Sequence, residues 1–432
     1  MRRPIIEEVV AEAHARALPE LTHRSVTLPW LPGKIDAVVG MRRSGKTCLM
    51  MQKMRELLDS GMPRKSLLYI NFEDDRLGEL TAAHLAQFVE AHYRLAPAAR
   101  EKSGAFFFDE IQLVPGWEKF VRRLIDTETV HVCVSGSSAK MLSQEIATSL
   151  RGRGLATEVF PFSLVEAMRH HGIPSEQTPS PKRRSGIEHA LDTYLQCGGF
   201  PEVQRLEESL RVRVLQDYLD IAVLRDVVER HDVHNVHALR KFVHQLVNMP
   251  AGLLSIHKIY QDFRSQGVQV GKDSLHNWLG YLEDAFVFFS IPIYSESERV
   301  RQTNPRKLYA IDPGLVTACS RHRSANLGQL LETVAFLHLR RQTRDISYLR
   351  TSSGFEVDFV SDKGVFQVCA ILDEPQTRER ELRGLREAML RLNMRRATIV
   401  TLYEADELKV PEGMIRVVPI WRWAMELEGA RD

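Results

Sequence analysis

The sequence predicts an α/β protein that begins with a parallel sheet and ends with a second α/β region. In residues 35–170, short apolar runs alternate with helical patterns, which is the order of a parallel sheet covered by helices. Residues 187–290 have mostly helical periodicity, and short apolar strands return after residue 326. At 432 residues the chain exceeds the usual size of a single core, so we expect two or three domains.

The composition is that of an ordinary globular protein, with 44% hydrophobic and 26% charged residues and a formal net charge of +2. The five cysteines are scattered without a C-x-x-C pair, which argues against a zinc site or a disulfide framework and fits a reducing compartment. Glu7 and Glu8 interrupt any signal-peptide apolar region, and no stretch approaches the roughly 18 apolar residues of a membrane helix. The sequence therefore predicts a cytoplasmic protein without a membrane partner.

Five apolar runs are the predicted strands of the first sheet, at residues 35–39, 66–72, 104–110, 130–136 and 156–162. The next segment, 172–186, contains three prolines and few apolar side chains, so it is predicted to be a loop or linker. Later strands are predicted at 397–403 and 415–421.

The stretch VVGMRRSGKT matches the phosphate-loop pattern G-x-x-x-x-G-K-[ST], between a predicted strand and a predicted helix. Glycines let the loop turn its N–H groups toward phosphate oxygens, and the following helix adds its positive amino-terminal end. We predict that Lys46 reaches the β- and γ-phosphates of ATP and that the Thr47 hydroxyl is a ligand of Mg²⁺. The full predicted nucleotide contact set is Gly40, Met41, Arg42, Arg43, Ser44, Gly45, Lys46, Thr47 and Cys48.

The stretch AFFFDEIQ ends an apolar strand in two carboxylates, Asp109 and Glu110. Downstream of a phosphate loop, this pattern predicts that Asp109 holds Mg²⁺ and that Glu110 polarises the attacking water. A fourth strand ends with Ser135 and Ser137, which either contact the γ-phosphate or the water, or simply cap a strand-to-helix turn.

Two arginines, Arg151 and Arg153, stand between a predicted helix and the fifth predicted strand. A ring-forming ATPase projects an arginine from this position into the nucleotide site of its neighbour, where the guanidinium stabilises charge on the γ-phosphate. The alternative is a pair of solvated surface arginines.

The chain resembles a prokaryotic AAA+ ATPase family whose members carry a carboxyl-terminal domain of unknown function. The resemblance rests on the order of the phosphate loop and the motifs DEIQ, SGSSAKML, LRGR, GGFPEV and IDPGL. The resemblance runs from about residue 20 to 420. It implies a P-loop AAA+ core at 1–170, a helical lid at 187–235, a winged helix at 236–315 and a restriction-endonuclease-like domain at 326–432. It also implies that Pro201 packs beside the adenine, against the alternative of an ordinary helix-breaking turn.

Helix, turn, helix and hairpin follow one another between residues 256 and 310, the order of a winged-helix domain. In the second helix, Leu275, Trp278, Leu279 and Leu282 recur at the spacing of a buried face. The remaining polar residues of the helix and the basic loop of the hairpin are predicted DNA contacts. They are Lys272, His276, Asn277, Arg299, Arg301, Arg306 and Lys307. Protein contacts and plain solvation are the alternatives for this loop.

The stretch GFEVDFVSDKGVFQVCA reads as two strands in which Asp358 precedes Gln367 at a nuclease-like spacing, with Glu332 on the preceding helix. A Mg²⁺-dependent nuclease needs carboxylates for the metal and usually a lysine that offsets charge. Gln367 and Cys369 stand where an active site has a carboxylate and that lysine, and migration of Lys363 into the site has no support. We therefore predict a catalytically degenerate domain.

Together these patterns predict an ATPase that uses ATP and Mg²⁺, assembles as a ring such as a hexamer, and binds or remodels duplex or branched DNA. The alternative is a nucleotide-dependent signalling or assembly switch that acts on a protein partner. An active ATP-coupled nuclease is the least favoured reading.

Overall fold

The computed structural model describes residues 2–137, 150, 152–320 and 327–429. The chain divides into two compact units, Met1–Phe160 and Pro161–Asp432. The segments predicted as lid, winged helix and carboxyl-terminal domain all lie in the second unit. None of the helices in the described ranges is long and apolar enough to cross a membrane.

The first unit is a parallel sheet with helices, as the sequence predicts. Its helices are α1 Arg2–Ala15, α2 Lys46–Asp59, α3 Ala82–Leu95 and α4 Trp117–Thr127, and its strands are β1 Ile35–Val39, β2 Leu67–Asn71, β3 Gly104–Asp109, β4 Val130–Gly136 and β5 Gly154–Glu158. The strand order is β2-β3-β4-β1-β5, and every neighbouring pair is parallel.

Strand β5 ends earlier than the predicted strand at 156–162 because the chain turns away at its end. The Val159 N–H still donates to the carbonyl of Val39, but Pro161 has no N–H with which to continue the ladder. The predicted parallel sheet is otherwise confirmed. Its central strands are buried on both faces, which explains uninterrupted apolar runs such as Phe106-Phe107-Phe108.

The second unit contains two further sheets and most of the helices. Its helices are α5 Leu164–His170, α6 Pro181–Cys197, α7 Glu208–Ile221, α8 Val236–Val247, α9 Ile256–Ser265, α10 Lys272–Asp284, α11 Glu298–Thr303, α12 Pro313–Cys319, α13 Leu327–Gln342, α14 Pro375–Arg391 and α15 Ile420–Gly429. A π-helical segment, Ala222–Glu229, continues α7.

Its strands are β6 Gly252–Leu254, β7 Phe288–Ile291, β8 Arg306–Ala310, β9 Ile346–Arg350, β10 Glu356–Ser361, β11 Gly364–Val368, β12 Arg396–Thr401, β13 Asp406–Val410 and β14 Gly413–Pro419. Three of them form an antiparallel sheet of order β6-β8-β7, and the other six form a mixed sheet of order β13-β14-β12-β11-β10-β9. The strands predicted on either side of the turn at 362–363 are confirmed as the antiparallel pair β10 and β11.

The loop predicted at 172–186 is shorter than expected, because α6 already begins at Pro181. Proline is tolerated in the first turn of a helix, where its missing N–H has no intrahelical partner to lose. Arg184 then forms an i,i+4 ion pair with Glu188 at 2.7 Å, which supports the helix from its exposed face. The prediction is wrong for residues 181–186.

The GGFP and IDPG motifs pack directly against each other. The buried Asp312 carboxylate accepts hydrogen bonds from the N–H groups of Gly199 (2.6 Å) and Leu315 (3.0 Å). A Cβ atom on Gly314 would lie 2.1 Å from the carbonyl oxygen of Cys197. Gly314 is therefore required by the close approach of the end of α6 to the beginning of α12, while Pro201 begins the adjoining single turn Pro201–Val203.

Candidate nucleotide-binding site

The phosphate loop turns sharply between β1 and α2. A Cβ atom on Gly40 would lie 2.2 Å from the carbonyl oxygen of Val159, so only glycine permits this approach. Gly45 adopts the left-handed conformation with φ of 99°, and Arg43 shares that region with φ of 65°. Gly45, which immediately precedes α2, makes no side-chain cap hydrogen bond, so the N–H groups at the start of the helix can donate to a ligand.

Lys46 is buried and points back over the loop. Its ammonium donates to the carbonyl oxygens of Gly40 (3.2 Å) and Met41 (3.3 Å). It also lies 3.4 Å from a carboxylate oxygen of Glu110. The loop thus holds a desolvated positive charge directly beside the predicted catalytic carboxylate.

The other residues of the predicted nucleotide contact set differ in their solvent exposure. Ser44 is fully buried, whereas Arg43 and Cys48 are exposed. Arg42 is partly exposed and forms a 2.6 Å ion pair with Glu73.

Asp109 ends β3 and is held by three hydroxyl groups. Thr47 and Tyr69 donate to one carboxylate oxygen at 2.7 and 2.8 Å, and Ser135 donates to the other. The hydroxyl and the carboxylate predicted to hold Mg²⁺ are therefore direct neighbours, although they are 62 positions apart in the chain.

Glu110 adopts an unusual backbone conformation, with φ of 54°, immediately after the strand. Its side chain accepts a hydrogen bond from the Gln112 amide and pairs with Lys46. Burial alone would raise the pKa of Glu110, but the charge of Lys46 and these hydrogen bonds outweigh it and hold the pKa below the ordinary value. Glu110 is therefore ionised at neutral pH.

Ser135 bridges the two carboxylate residues. It donates to Asp109 and accepts a 3.0 Å hydrogen bond from the N–H of Glu110. Its hydroxyl proton is therefore committed within the protein, and a positioning role fits it better than the predicted phosphate contact. Ser137 is also buried, and its contact with phosphate or water stays a prediction.

Arg151 and Arg153 are the two arginines predicted to enter the nucleotide site of a neighbouring subunit. Arg151 lies outside the described residues. Arg153 is partly exposed, and its guanidinium forms an ion pair with Asp126 of α4.

Arg24 supports the loop, although its sequence position shows no sign of this role. Its buried guanidinium donates to the carbonyl oxygens of Ser44 (2.9 Å) and Phe160 (2.5 Å). Its own N–H donates to the side chain of Gln52 at 2.8 Å. Arg24 thereby ties the phosphate loop to the end of β5 and to α2, and a solitary arginine in an irregular segment carries no local pattern that indicates this.

In the second unit, two residues of the predicted degenerate nuclease site, Glu332 and Asp358, contact Lys307 together with Glu356, which sequence reasoning missed. Lys307 of β8 is buried, and its ammonium lies 2.7 Å from Glu332, 2.8 Å from Glu356 and 2.8 Å from Asp358. The prediction that Lys307 contacts DNA is therefore wrong, because three carboxylates hold its side chain inside the protein. Lys363 is exposed and pairs with Asp362 at 3.3 Å.

Gln367 and Cys369 do not contribute charge to this cluster. The Gln367 amide oxygen accepts the N–H of Asp358 at 3.3 Å, and the Cys369 thiol donates to the carbonyl of Ile371 at 3.1 Å. Burial raises the pKa of Cys369 to about 11, so the thiol is neutral at pH 7.

The remaining predicted DNA contacts lie at the surface. Lys272, His276 and Asn277 are exposed on α10, opposite its buried apolar stripe. Arg299 and Arg306 are exposed as well. The predicted basic loop is partly helical, since α11 occupies Glu298–Thr303, and Arg301 lies 3.8 Å from Glu298 within it.

Comparison with known proteins identifies two regions of the chain. Residues 32–168 match the AAA domain family, and residues 188–326 match a domain family of unknown function.

Among solved structures, the chain resembles the Aeropyrum pernix ORC1 protein in complex with DNA, with 14% identity and a TM-score of 0.30. The match covers 74% of this chain and 92% of the ORC1 chain. It also resembles Cdc6p from Pyrobaculum aerophilum, with 10% identity and a TM-score of 0.26. The match covers 72% of this chain and 88% of Cdc6p.

Two sequence relatives extend over more of the chain. A Haemophilus influenzae protein is 29% identical over 329 residues, which cover 76% of this chain and 80% of the relative. Uncharacterized protein MJ1544 of Methanocaldococcus jannaschii is 30% identical over 439 residues, covering 98% of this chain and 96% of the relative. Residues 32–168 of this protein match the AAA domain family, and the protein as a whole belongs to the same family as MJ1544.

Proposed function

We propose that the first unit binds ATP with Mg²⁺ and hydrolyses it to ADP and phosphate. The observation that carries the proposal is the meeting of Lys46, Thr47, Asp109 and Glu110 where β1 and β3 end. Ligands of open parallel sheets bind outside the carboxyl ends of the strands. The AAA domain match over residues 32–168 supports the same chemistry.

The residues of the loop suit a triphosphate. The Ser44 hydroxyl is buried and, within the described part of the chain, has no hydrogen-bond partner, so a phosphate oxygen can satisfy it. The first turn of α2 offers N–H groups to the same anion. Thr47 and Asp109 supply the hard oxygen atoms that Mg²⁺ prefers, and the bound ion would offset charge on the phosphates.

The contact between Lys46 and Glu110 suggests how ATP binding would prepare Glu110 for catalysis. Phosphate oxygens would compete for the Lys46 ammonium and release the carboxylate of Glu110, which is then able to polarise a water molecule. Gln112 would keep that carboxylate oriented through its hydrogen bond, and Ser135 would keep the backbone of Glu110 in place.

We expect the Glu110→Gln variant to bind ATP but to hydrolyse it about 10²- to 10³-fold more slowly, because a neutral amide cannot accept the proton of the attacking water. Steady-state phosphate release and fluorescent-nucleotide binding measure the two steps. Glu101→Gln, at an exposed position of the same unit, is the matched control and should retain full turnover. Unchanged turnover in Glu110→Gln would exclude Glu110 as the catalytic base.

We further propose that hydrolysis takes place in a ring of subunits, to which Arg151 or Arg153 contributes a guanidinium across the subunit interface. The support is the position of these residues before β5 and the partial exposure of Arg153, whose partner Asp126 is also at the surface. An arginine that enters a neighbouring site would exchange this exposed ion pair, which contributes little stability, for contact with phosphate.

DNA is the partner that we propose for the second unit. The order α8, β6, α9, α10, β7, β8 and the sheet order β6-β8-β7 support the winged-helix interpretation. Exposed polar and basic residues lie on α10 and on the β7–β8 connection, where such domains contact the groove and the phosphates.

We expect duplex or four-way-junction DNA to stimulate ATP hydrolysis, with a steep loss of stimulation as salt increases. Replacing Arg299 and Arg306 together by Ala should weaken DNA binding and reduce the slope of log affinity against log salt by about 2, since each phosphate contact contributes about 0.9. Arg225→Ala, at another exposed arginine of the second unit, is the control. Hydrolysis that is indifferent to DNA would favour the alternative function, a nucleotide-dependent switch that acts on a protein partner.

A further inference from the structure

The carboxylates that resemble a nuclease metal site already surround a cation. The Lys307 ammonium has three N–H groups, and three different carboxylates lie within 2.7–2.8 Å of it. Its side chain is only 3% exposed. An ammonium at the point shared by three carboxylates occupies the position in which a divalent ion would need to bind.

The remaining polar contacts of the cluster are also made within the protein. The second oxygen of Asp358 accepts the N–H of Val368 at 2.8 Å, and the Tyr309 hydroxyl donates to Glu332 at 2.7 Å. The side chain that aligns with a metal-binding carboxylate, Gln367, is neutral and faces the N–H of Asp358 instead. These residues do not suit a resident Mg²⁺, because every carboxylate of the cluster already contacts the lysine.

The cluster connects two sheets and a helix of the second unit. Lys307 and Tyr309 belong to β8 of the small antiparallel sheet, Glu356 and Asp358 belong to β10 of the mixed sheet, and Glu332 lies on α13. The Tyr309 ring stacks on Phe336 of α13 with centroids 4.2 Å apart.

We propose that Lys307 is a built-in counter-ion that fills the carboxylate site of the second unit in place of a metal ion, and that removing its charge turns the cluster into a divalent-cation site. This inference is independent of ATP hydrolysis in the first unit. It predicts that the natural protein neither binds Mn²⁺ in this cluster nor cuts DNA there.

The charges of the cluster support the proposal that it becomes a divalent-cation site when the charge of Lys307 is removed. Three carboxylates, those of Glu332, Glu356 and Asp358, surround one ammonium, so the cluster contains more acidic groups than the single positive charge of Lys307 can balance. Without that charge, buried carboxylates would remain unpaired, and a hard dication with oxygen ligands would restore the balance.

The test compares Lys307→Met, which keeps an unbranched side chain but removes the charge, with the natural protein and with Lys363→Met at an exposed lysine of the same unit. Thermal unfolding is recorded without nucleotide, with and without millimolar Mn²⁺. We expect Lys307→Met to unfold roughly 5–10 °C lower and to recover part of this loss with Mn²⁺. The natural protein and Lys363→Met should not respond to Mn²⁺.

Two further measurements decide the outcome if Lys307→Met does not fold. In the first, calorimetry measures Mn²⁺ binding to the natural protein and to Asp358→Asn. In the second, thermal unfolding is recorded for Lys307→Arg, which should fold because it retains the positive charge. Binding to the natural protein that Asp358→Asn abolishes would overturn the proposal, as would Mg²⁺-dependent DNA cleavage that the same variant abolishes. A folded Lys307→Met protein with unchanged stability, or one whose stability Mn²⁺ does not alter, would also overturn it.

Discussion

We expect the Lys46→Ala variant to lose ATP turnover by about 10²- to 10³-fold or more, the size of effect seen when a preorganised charge at a reacting group is removed. Lys46 is the buried cation between the loop carbonyls and Glu110, so its loss removes the charge that would face the β- and γ-phosphates. Steady-state phosphate release and nucleotide binding should fall together.

Lys119→Ala is the control for this result, since Lys119 is an exposed lysine of the same unit. Its turnover should equal that of the natural protein. Thermal unfolding of both variants would show whether Lys46→Ala is folded. This is expected because, among the residues that the structure describes, the Lys46 ammonium contacts the loop carbonyls and Glu110, which lie at the site and not in the core. Near-normal turnover in a folded Lys46→Ala protein would contradict the assignment of the nucleotide site.

The Gly314→Ala substitution should destabilise the second unit by about 3 kcal/mol or more, because overpacking against backbone cannot be relieved by rotating a side chain. The added Cβ would lie 2.1 Å from the carbonyl oxygen of Cys197 and 2.6 Å from the N–H nitrogen of Gly198. Relief requires α12 to move away from the end of α6, which would break the hydrogen bond from Gly199 to Asp312.

Gly280→Ala is a matched control because Gly280 is also a helical glycine of the second unit. Apart from its chain neighbours and its own helix backbone, none of the described residues places an atom within 4 Å of the added Cβ. Alanine there should be neutral or stabilising by up to about 1 kcal/mol, since it favours the helix over the unfolded chain. Chemical denaturation measures both variants. Equal stability of Gly314→Ala and Gly280→Ala would show that the contact between the motifs does not constrain the fold.

The nucleotide site was predictable because its main parts are contiguous in the chain. Gly40 to Thr47 form one loop, and Asp109 and Glu110 end a strand whose burial is evident from three consecutive phenylalanines. Alternation of strands and helices predicts a parallel sheet, and such a sheet places the ends of β1 and β3 at the same edge. The contact between Thr47 and Asp109 follows from that topology.

The supporting residues of the site could not be predicted in the same way. Arg24 donates to a carbonyl 20 positions away along the chain, and Tyr69 reaches Asp109 from the neighbouring strand β2. Both contacts depend on how side chains pack once the sheet has formed. No pattern of spacing or periodicity indicates either contact, although Tyr69 lies in a predicted strand.

The buried position of Lys307 could not be predicted from its neighbours in the chain. In the chain it belongs to a basic segment with Arg306, and such segments are usually solvated or bind anions. In the structure the two neighbours separate, because successive side chains of a strand point to opposite faces, and Lys307 turns inward toward carboxylates up to 51 positions away.

The sequence by itself determined the parallel sheet, the phosphate loop, the paired carboxylates at the end of β3 and the strands β7, β8, β10, β11, β12 and β14 of the second unit, because each depends on residues that are close in the chain. Only the tertiary structure decided that Ser135 holds Asp109, that Asp312 joins two glycine motifs and that Lys307 pairs with the carboxylates of the nuclease-like cluster. Each of these roles depends on contact between distant segments, since burial makes a charge or hydrogen-bonding group find its partner wherever the packed chain provides one.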